Sequence, residues 1–174
     1  MIKWVKRIFV ILLVICSVLW LLVRFTTDFR SANELEELFW ENENEFRKAA
    51  QVLADIFPPS GGIQIETKNI YADANDERIV VKQINGLFFI SSHGEDYSQK
   101  EYQKMHDAVE SLFSSLKIEG VAGGKNVITF CVSLSYGIEC DIIYTADGTQ
   151  PTVFLTVEDQ AKICDGWYAI ISHD

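Results

Sequence analysis

Histidine and cysteine are the scarcest reactive side chains here, three and four in 174 residues. Where they stand bounds the chemistry the chain could carry. His93 opens His93-Gly94-Glu95-Asp96, a polar loop between a strand pattern and a helix start, a place where ligands and catalytic groups often sit. Joined by His106, the residues His93, Glu95 and Asp96 could supply the acid and base of a hydrolase. No second histidine stands at metal-ligand spacing, and His106 falls at the edge of a core-facing stripe. Packing is the simpler reading of His106, and neither a metal nor a cofactor is expected. Asp73-Ala74-Asn75-Asp76-Glu77 starts like a calcium loop, but Arg78 holds the sixth place and Ile84 the twelfth, where such a loop needs Gly and Glu. It reads as a solvated turn. The sequence holds no G-x-S-x-G, P-loop, G-x-G-x-x-G, C-x-x-C or H-E-x-x-H pattern, so no enzyme signature is present.

The most unusual surface is acidic. Glu37, Glu41 and Glu45 follow one another at four-residue steps, with Glu34, Glu36 and Glu43 nearby. On a continuous helix each like-charge pair at that spacing costs about 0.2–0.5 kcal/mol, and only Glu43 has a well-spaced partner, Arg47. Trp40 lies about 140° from the apolar stripe of the same helix, beside the ridge. A solvated face is one reading; a contact surface for a basic protein or a cation, made by Glu37, Glu41 and Glu45 with Trp40 beside them as its apolar anchor, is the other.

These groups must be held by the elements around them. Ile8 to Val23 carries no charge and nothing more polar than Ser17. At about 1.5 Å per residue such a stretch falls short of a hydrocarbon core of about 30 Å. The deficit closes when Trp4, Val5 and Phe25 join it while Lys6 and Arg7 snorkel. A single transmembrane helix over about residues 4–25 is therefore expected, with the lipid bilayer as its partner. Arg24-Phe25-Thr26-Thr27-Asp28-Phe29-Arg30 offers no small-residue cleavage site, and Ile15 before Cys16 speaks against a lipobox. Lys3, Lys6 and Arg7 precede the stretch, against Arg24 and Arg30 after it. That favours a cytoplasmic tip within residues 1–30 and an extracytoplasmic domain over 31–174 at the cell membrane. Of 25 acidic and 15 basic side chains, all but one of the acids and ten of the cations fall after Arg30, which disfavours nucleic acid as a partner.

The domain reads as α+β. Ser31-Ala32-Asn33-Glu34 and Ser98-Gln99-Lys100-Glu101 have the form of capping boxes. They open two amphipathic helices, one carrying Leu35, Leu38, Phe39, Phe46, Ala49, Ala50, Leu53, Ile56 and Phe57 on its apolar side. The other carries Tyr102, Met105, Val109, Leu112, Phe113 and Leu116. Pro58-Pro59 stops the first and Gly120 with Gly123-Gly124 the second. Strands are expected at Ile63–Lys68, Ile79–Ile84, Leu87–Ser92, Val127–Leu134, Ile138–Thr145, Thr152–Val157 and Trp167–Ser172. They make an antiparallel sheet of about six or seven strands with both helices on one face. Asn85-Gly86 is a strong hairpin turn. Matching apolar faces across the next hairpin pairs Leu134 with Ile138 and Val132 with Cys140 around Ser135-Tyr136-Gly137. Cys140 then points inward and Cys131 to the opposite face, so a bridge between those two is disfavoured. Cys140 and Cys164 read as small buried hydrophobes or as a bridged pair.

The closing Asp165-Gly166-Trp167-Tyr168 and the Gly137-Ile138 hairpin resemble small uncharacterised bacterial proteins. Those join an N-terminal hydrophobic segment to a helix-plus-sheet domain ending in a Trp-Tyr strand. The resemblance covers the last third of the chain and implies no activity. The plan of anchor, helix and sheet also looks like a type IV pilin or pseudopilin. That family places Gly before Phe at its processing site and Glu soon after, whereas Arg7 precedes Ile8 here and the span has no acid. The leading expectation is a membrane-tethered interaction or binding module of a bacterial envelope. A membrane-anchored hydrolase using the His93–Asp96 loop and a pilin-like filament subunit are the alternatives.

Overall fold

The computed structural model describes residues 12–17, 31–59, 62–68, 78–92, 94, 96–135 and 137–173. Residues 12–17 are helical. The rest of the stretch expected to cross a bilayer, within 4–25, lies outside the described residues, as do 73–77 of the calcium-like turn. Among the described residues no helix is long and apolar enough to cross a membrane.

Three helices follow: α1 (Ala32–Glu41), α2 (Glu43–Ile56) and α3 (Gln99–Ser111). The first helix expected from the sequence is thus two. Asn42 takes φ −127°, ψ 28°, and its backbone N–H turns back to the Phe39 carbonyl. Its side-chain amide donates to the Leu38 carbonyl at 3.0 Å. An Asn amide competing for helix carbonyls is a known way to end a turn. The N-caps are as expected. Ser31 accepts from the Glu34 N–H, and Ser98 forms the full reciprocal box with Glu101. After α3 the chain widens into a π turn over Leu112–Leu116 and stops at Lys117, whose φ is +55°.

The strands are β1 (Ile63–Glu66), β2 (Val80–Ile84), β3 (Leu87–Ser91), β4 (Gly120–Gly124), β5 (Val127–Ser135), β6 (Ile138–Thr145), β7 (Thr156–Cys164) and β8 (Trp167–His173). They form one antiparallel sheet in the order β2-β3-β1-β4-β5-β6-β8-β7. The α+β class is as expected, with eight strands in place of six or seven. The added strand is β4, where Gly120, Gly123 and Gly124 were expected only to end a helix. Its neighbours β1 and β5 supply its ladder on both sides. The strand expected over Thr152–Val157 instead runs over Thr156–Cys164. Both central residues of the Asn85-Gly86 turn have positive φ, 47° and 92°, as a type I′ hairpin requires.

The helices cover one face of the sheet. Leu35, Phe39, Phe46, Ala49, Leu53 and Met105 pack there on Ile65, Phe89, Phe130, Ile142, Trp167 and Ala169, all of them buried. The Phe39 and Trp167 rings lie 4.8 Å apart, and Phe46 meets Phe130 edge-on at 5.3 Å. Trp167 and Tyr168 alternate across β8, so Tyr168 belongs to a second, smaller cluster with Ile143 and Ile170 on the opposite face. Because β8 lies between β6 and β7 and runs antiparallel to both, the link 146–155 must travel the length of the sheet. With α1 occupying the helix face, this strap crosses the other one. Val153 packs on the second cluster, and the Tyr168 hydroxyl donates to the Gly148 carbonyl at 2.7 Å.

The β5–β6 register holds at Phe130 with Ile142 and Ile128 with Tyr144, and shifts nearer the turn. Val132 stands at the irregularity between Cys131 and Ser133, so Ser133, Leu134 and Ser135 oppose Cys140, Glu139 and Ile138. The expected Leu134–Ile138 and Val132–Cys140 pairs are therefore replaced, and the pairing runs on to Ser135 with Ile138. Gly137 has the expected left-handed φ, +78°. Cys140 is buried in the main core. Cys16, Cys131, Cys140 and Cys164 are all free of disulfides, so the bridged alternative for Cys140 and Cys164 does not hold.

Candidate functional site

The acidic ridge is interrupted. Glu37 and Glu41 are exposed on α1, while Glu45, also exposed, belongs to α2 beyond the Asn42 break. The three do not form one four-residue series. Trp40 is 46 % exposed, its indole N–H donating to Glu36 Oε1 at 3.3 Å and its ring edge-on to Phe39 at 5.3 Å. The indole is therefore held at the surface beside Glu37 and Glu41, with its N–H turned to Glu36 on the other side. Glu43 meets Arg47 at 2.7 Å, as its spacing implied. The same guanidinium lies over the Phe39 and Trp167 rings and reaches Cys164 Sγ at 3.4 Å.

The loop expected to do acid–base chemistry is only partly in view, because His93 and Glu95 lie outside the described residues. Asp96 accepts the Tyr102 hydroxyl at 3.1 Å. Burial pushes that phenol up to about 12, so Tyr102 is a fixed donor that occupies the carboxylate. His106 is buried, as the packing reading had it. Its Nδ1 stands 3.3 Å from Asp107 Oδ1. Hydrogen bonds from Gln103 and then from His106 hold Asp107 below the usual carboxylate range. One donor atom each of His106, Asp107 and Glu110 fall within 4.8 Å of one another. Such a set could share a divalent cation, although Asp107 and Glu110 are exposed. The spacing i, i+1, i+4 on α3 is the signal the sequence offered for it. Beside it, between α2 and α3, an open cavity of about 320 Å³ is rimmed by Lys48, Lys104, Asp55 and Asp107 over Val52 and Ile56.

The helix-free face holds a pair missing from the sequence candidates. Asp141 opposes Cys131 across the β5–β6 ladder and is 7 % exposed. Desolvation, and then the charge of Glu139, push its carboxyl up to about 7, partly offset by a hydrogen bond with the Cys131 thiol. Among the described residues Asp141 Oδ1 has no hydrogen-bond partner. Burial and the Asp141 charge push the Cys131 thiol far up, which makes it a protonated thiol and a poor nucleophile. Near neutrality only the carboxyl gains or loses its proton, and the sulfur is not activated. The expected register already placed Asp141 opposite Cys131, and that was the signal.

The same half of the sheet has two unlike ends. Its turns near Tyr144 and Trp167 are polar: Lys125-Asn126, Ala146-Asp147-Gly148 and Asp165-Gly166. The opposite end carries Phe154, 98 % exposed, with Leu134 at 54 % and Val157 at 40 %. Leu134 and Val157 share one row across the outer face, through Glu139 and Ser172. The chain enters the domain at that end, where the Ala32 N–H donates to Asp159 Oδ2 on β7 at 2.8 Å. The chain matches no protein-family model, no curated protein and no solved structure.

Proposed function

We propose that this chain is a membrane-tethered interaction module. Residues of about 4–25 cross a bilayer, and the acidic domain over 31–174 is presented on its extracytoplasmic side. The observation that carries the reading is the helical run at 12–17. Leu12, Leu13, Val14 and Ile15 are consecutive, turn through most of the helix circumference, and are each 48–56 % exposed. A helical run that is apolar and this exposed around most of its circumference suits a lipid environment. Ser17, the polar residue of the run, folds its hydroxyl onto the Leu13 and Val14 carbonyls at 2.8 and 2.9 Å, which removes an unpaired donor from the apolar surroundings.

The contact surface is α1, with Trp40 as apolar anchor beside Glu37 and Glu41 and a basic protein segment as the complementary partner. Alkaline carbonate extraction of membranes carrying the full chain, together with a periplasmic or external reporter fused after Asp174, tests the tether and its orientation. Retention in the membrane and an externally active reporter are expected. Release into the supernatant overturns the tether, and activity of a cytoplasm-only reporter reverses the orientation.

A further inference from the structure

The domain end bearing Phe154 is the end at which the tether arrives. The Ala32 N–H on Asp159 Oδ2 pins the start of α1 to β7. α1 then runs away from that end, since Phe39 packs on Trp167 near the opposite turns. Phe154 lies five residues before Asp159, which places it within roughly 17 Å of that pin at the rise of an extended chain. Between Phe25, the last residue assigned to the span, and Ser31 lie five residues. They reach roughly 18 Å when fully extended. The short linker and the hydrogen-bonded pin at Asp159 therefore hold the bilayer surface and the Phe154 ring within reach of each other.

The side chains at this end fit such a neighbour. Phe154 is almost fully exposed, and Val157 and Leu134 stand open on the outer face. The turns Lys125-Asn126, Ala146-Asp147-Gly148 and Asp165-Gly166 collect at the far end of these strands, and the β5–β6 turn lies at the Phe154 end. Aromatic rings are favoured at the headgroup level, and a tethered surface needs little intrinsic affinity because its effective concentration is high. The local charges, Glu139, Glu158 and Asp159, argue for shallow apolar insertion without attraction to anionic headgroups.

We infer that the sheet end carrying Phe154, Val157 and Leu134 rests on the bilayer that the N-terminal stretch enters, with the Phe154 ring at the headgroup–acyl boundary. The inference rests on the tether reading. The test uses the full chain in phosphatidylcholine proteoliposomes, with the photo-crosslinker p-benzoylphenylalanine replacing either Phe154 or Asn126, a residue of a far-end turn. Lipid adducts at 154 at least fivefold above those at 126 are expected. Carbonate extraction of the same samples separates the two ideas. A chain released by carbonate overturns the tether and this inference together. A retained chain with equal or no lipid labelling at 154 overturns only the docking. A retained chain whose 154 adduct is another protein, or a second copy of this chain, assigns Phe154 to that partner and also overturns it.

Discussion

Asp141 faces Cys131 across the β5–β6 ladder on the side of the sheet away from the helices, with its carboxyl pushed up to about 7. Its ordinary value is 3.8, so the sign of its contribution is fixed. Between about pH 4 and 7 the unfolded chain has released this proton while the folded chain keeps it, and stability falls as pH rises through that window. Above it the penalty is constant. Asp141→Asn keeps the shape and removes the charge, so it should raise the unfolding free energy at pH 8 by on the order of 2 kcal/mol and change it little at pH 4. Urea unfolding of the full chain in detergent at the two pH values reads this directly. An equal gain at both would place the effect in packing.

The tight point of the β4–β5 hairpin is Gly123. Its φ is +138°, and a Cβ there would stand 2.2 Å from the Val127 carbonyl oxygen. Backbone on backbone cannot yield by a rotamer change. Gly123→Ala should therefore cost on the order of 3 kcal/mol or more. Gly137 also has positive φ but would meet nothing within 4 Å, so Gly137→Ala should cost only about 1–2 kcal/mol. Thermal unfolding of the pair gives the contrast. Equal losses would show that backbone strain, and not the contact, sets the cost at Gly123.

These two sites also show where the sequence was legible. Paired faces along β5 and β6 gave the register at Phe130 and Ile142, and with it the Cys131–Asp141 pair, because alternation is read from local residue types. The irregularity at Val132 has no such local mark. β4 was hidden because Gly-Val-Ala-Gly-Gly has almost no side chains from which to read alternation; its existence depends on β1 and β5, which lie far away in sequence. β7 was misplaced because an edge strand exposed from Thr156 to Asp159 lacks an inward face to show. The Asn42 break lacks Gly or Pro and depends on one side-chain amide. Phe154 read as part of a strand, and its exposure follows from the strap that the parallel placement of β6 and β7 demands.

The α3 capping box is a local feature with a local cost. Ser98 accepts from the Glu101 N–H, and Glu101 accepts from the Ser98 N–H at 2.8 Å. The Ser98 hydroxyl, donating to Glu101 Oε2 at 2.6 Å, and then the Ser98 N–H hold the Glu101 carboxyl below its usual range. Ser98→Ala should lower stability by about 1 kcal/mol, with Ser98→Asp recovering most of it. Guanidinium unfolding with an unchanged m-value would show that only the cap was lost. A Ser98→Asp variant no better than Ser98→Ala would mean that the hydroxyl serves some purpose other than capping.

The break at Asn42 makes α1 and α2 respond differently to removal of charge. Glu37 and Glu41 stand one turn apart on α1, whereas Glu45 lies on α2, near its positive N-terminal end, where a carboxylate is favourable. Glu41→Gln should thus stabilise by about 0.2–0.5 kcal/mol, and Glu45→Gln should be neutral or slightly destabilising. If α1 is also the contact surface, Glu41→Gln and Trp40→Ala should each weaken binding of a basic partner while the fold holds. Glu45→Gln should leave binding nearly unchanged. Crosslinking from position 37 in membranes of cells that make the protein gives the binding readout, and denaturation of the same variants gives the stability readout. Crosslinks that persist in both Trp40→Ala and Glu41→Gln would leave α1 a solvated face, and the interaction reading would then lose the surface on which it stands.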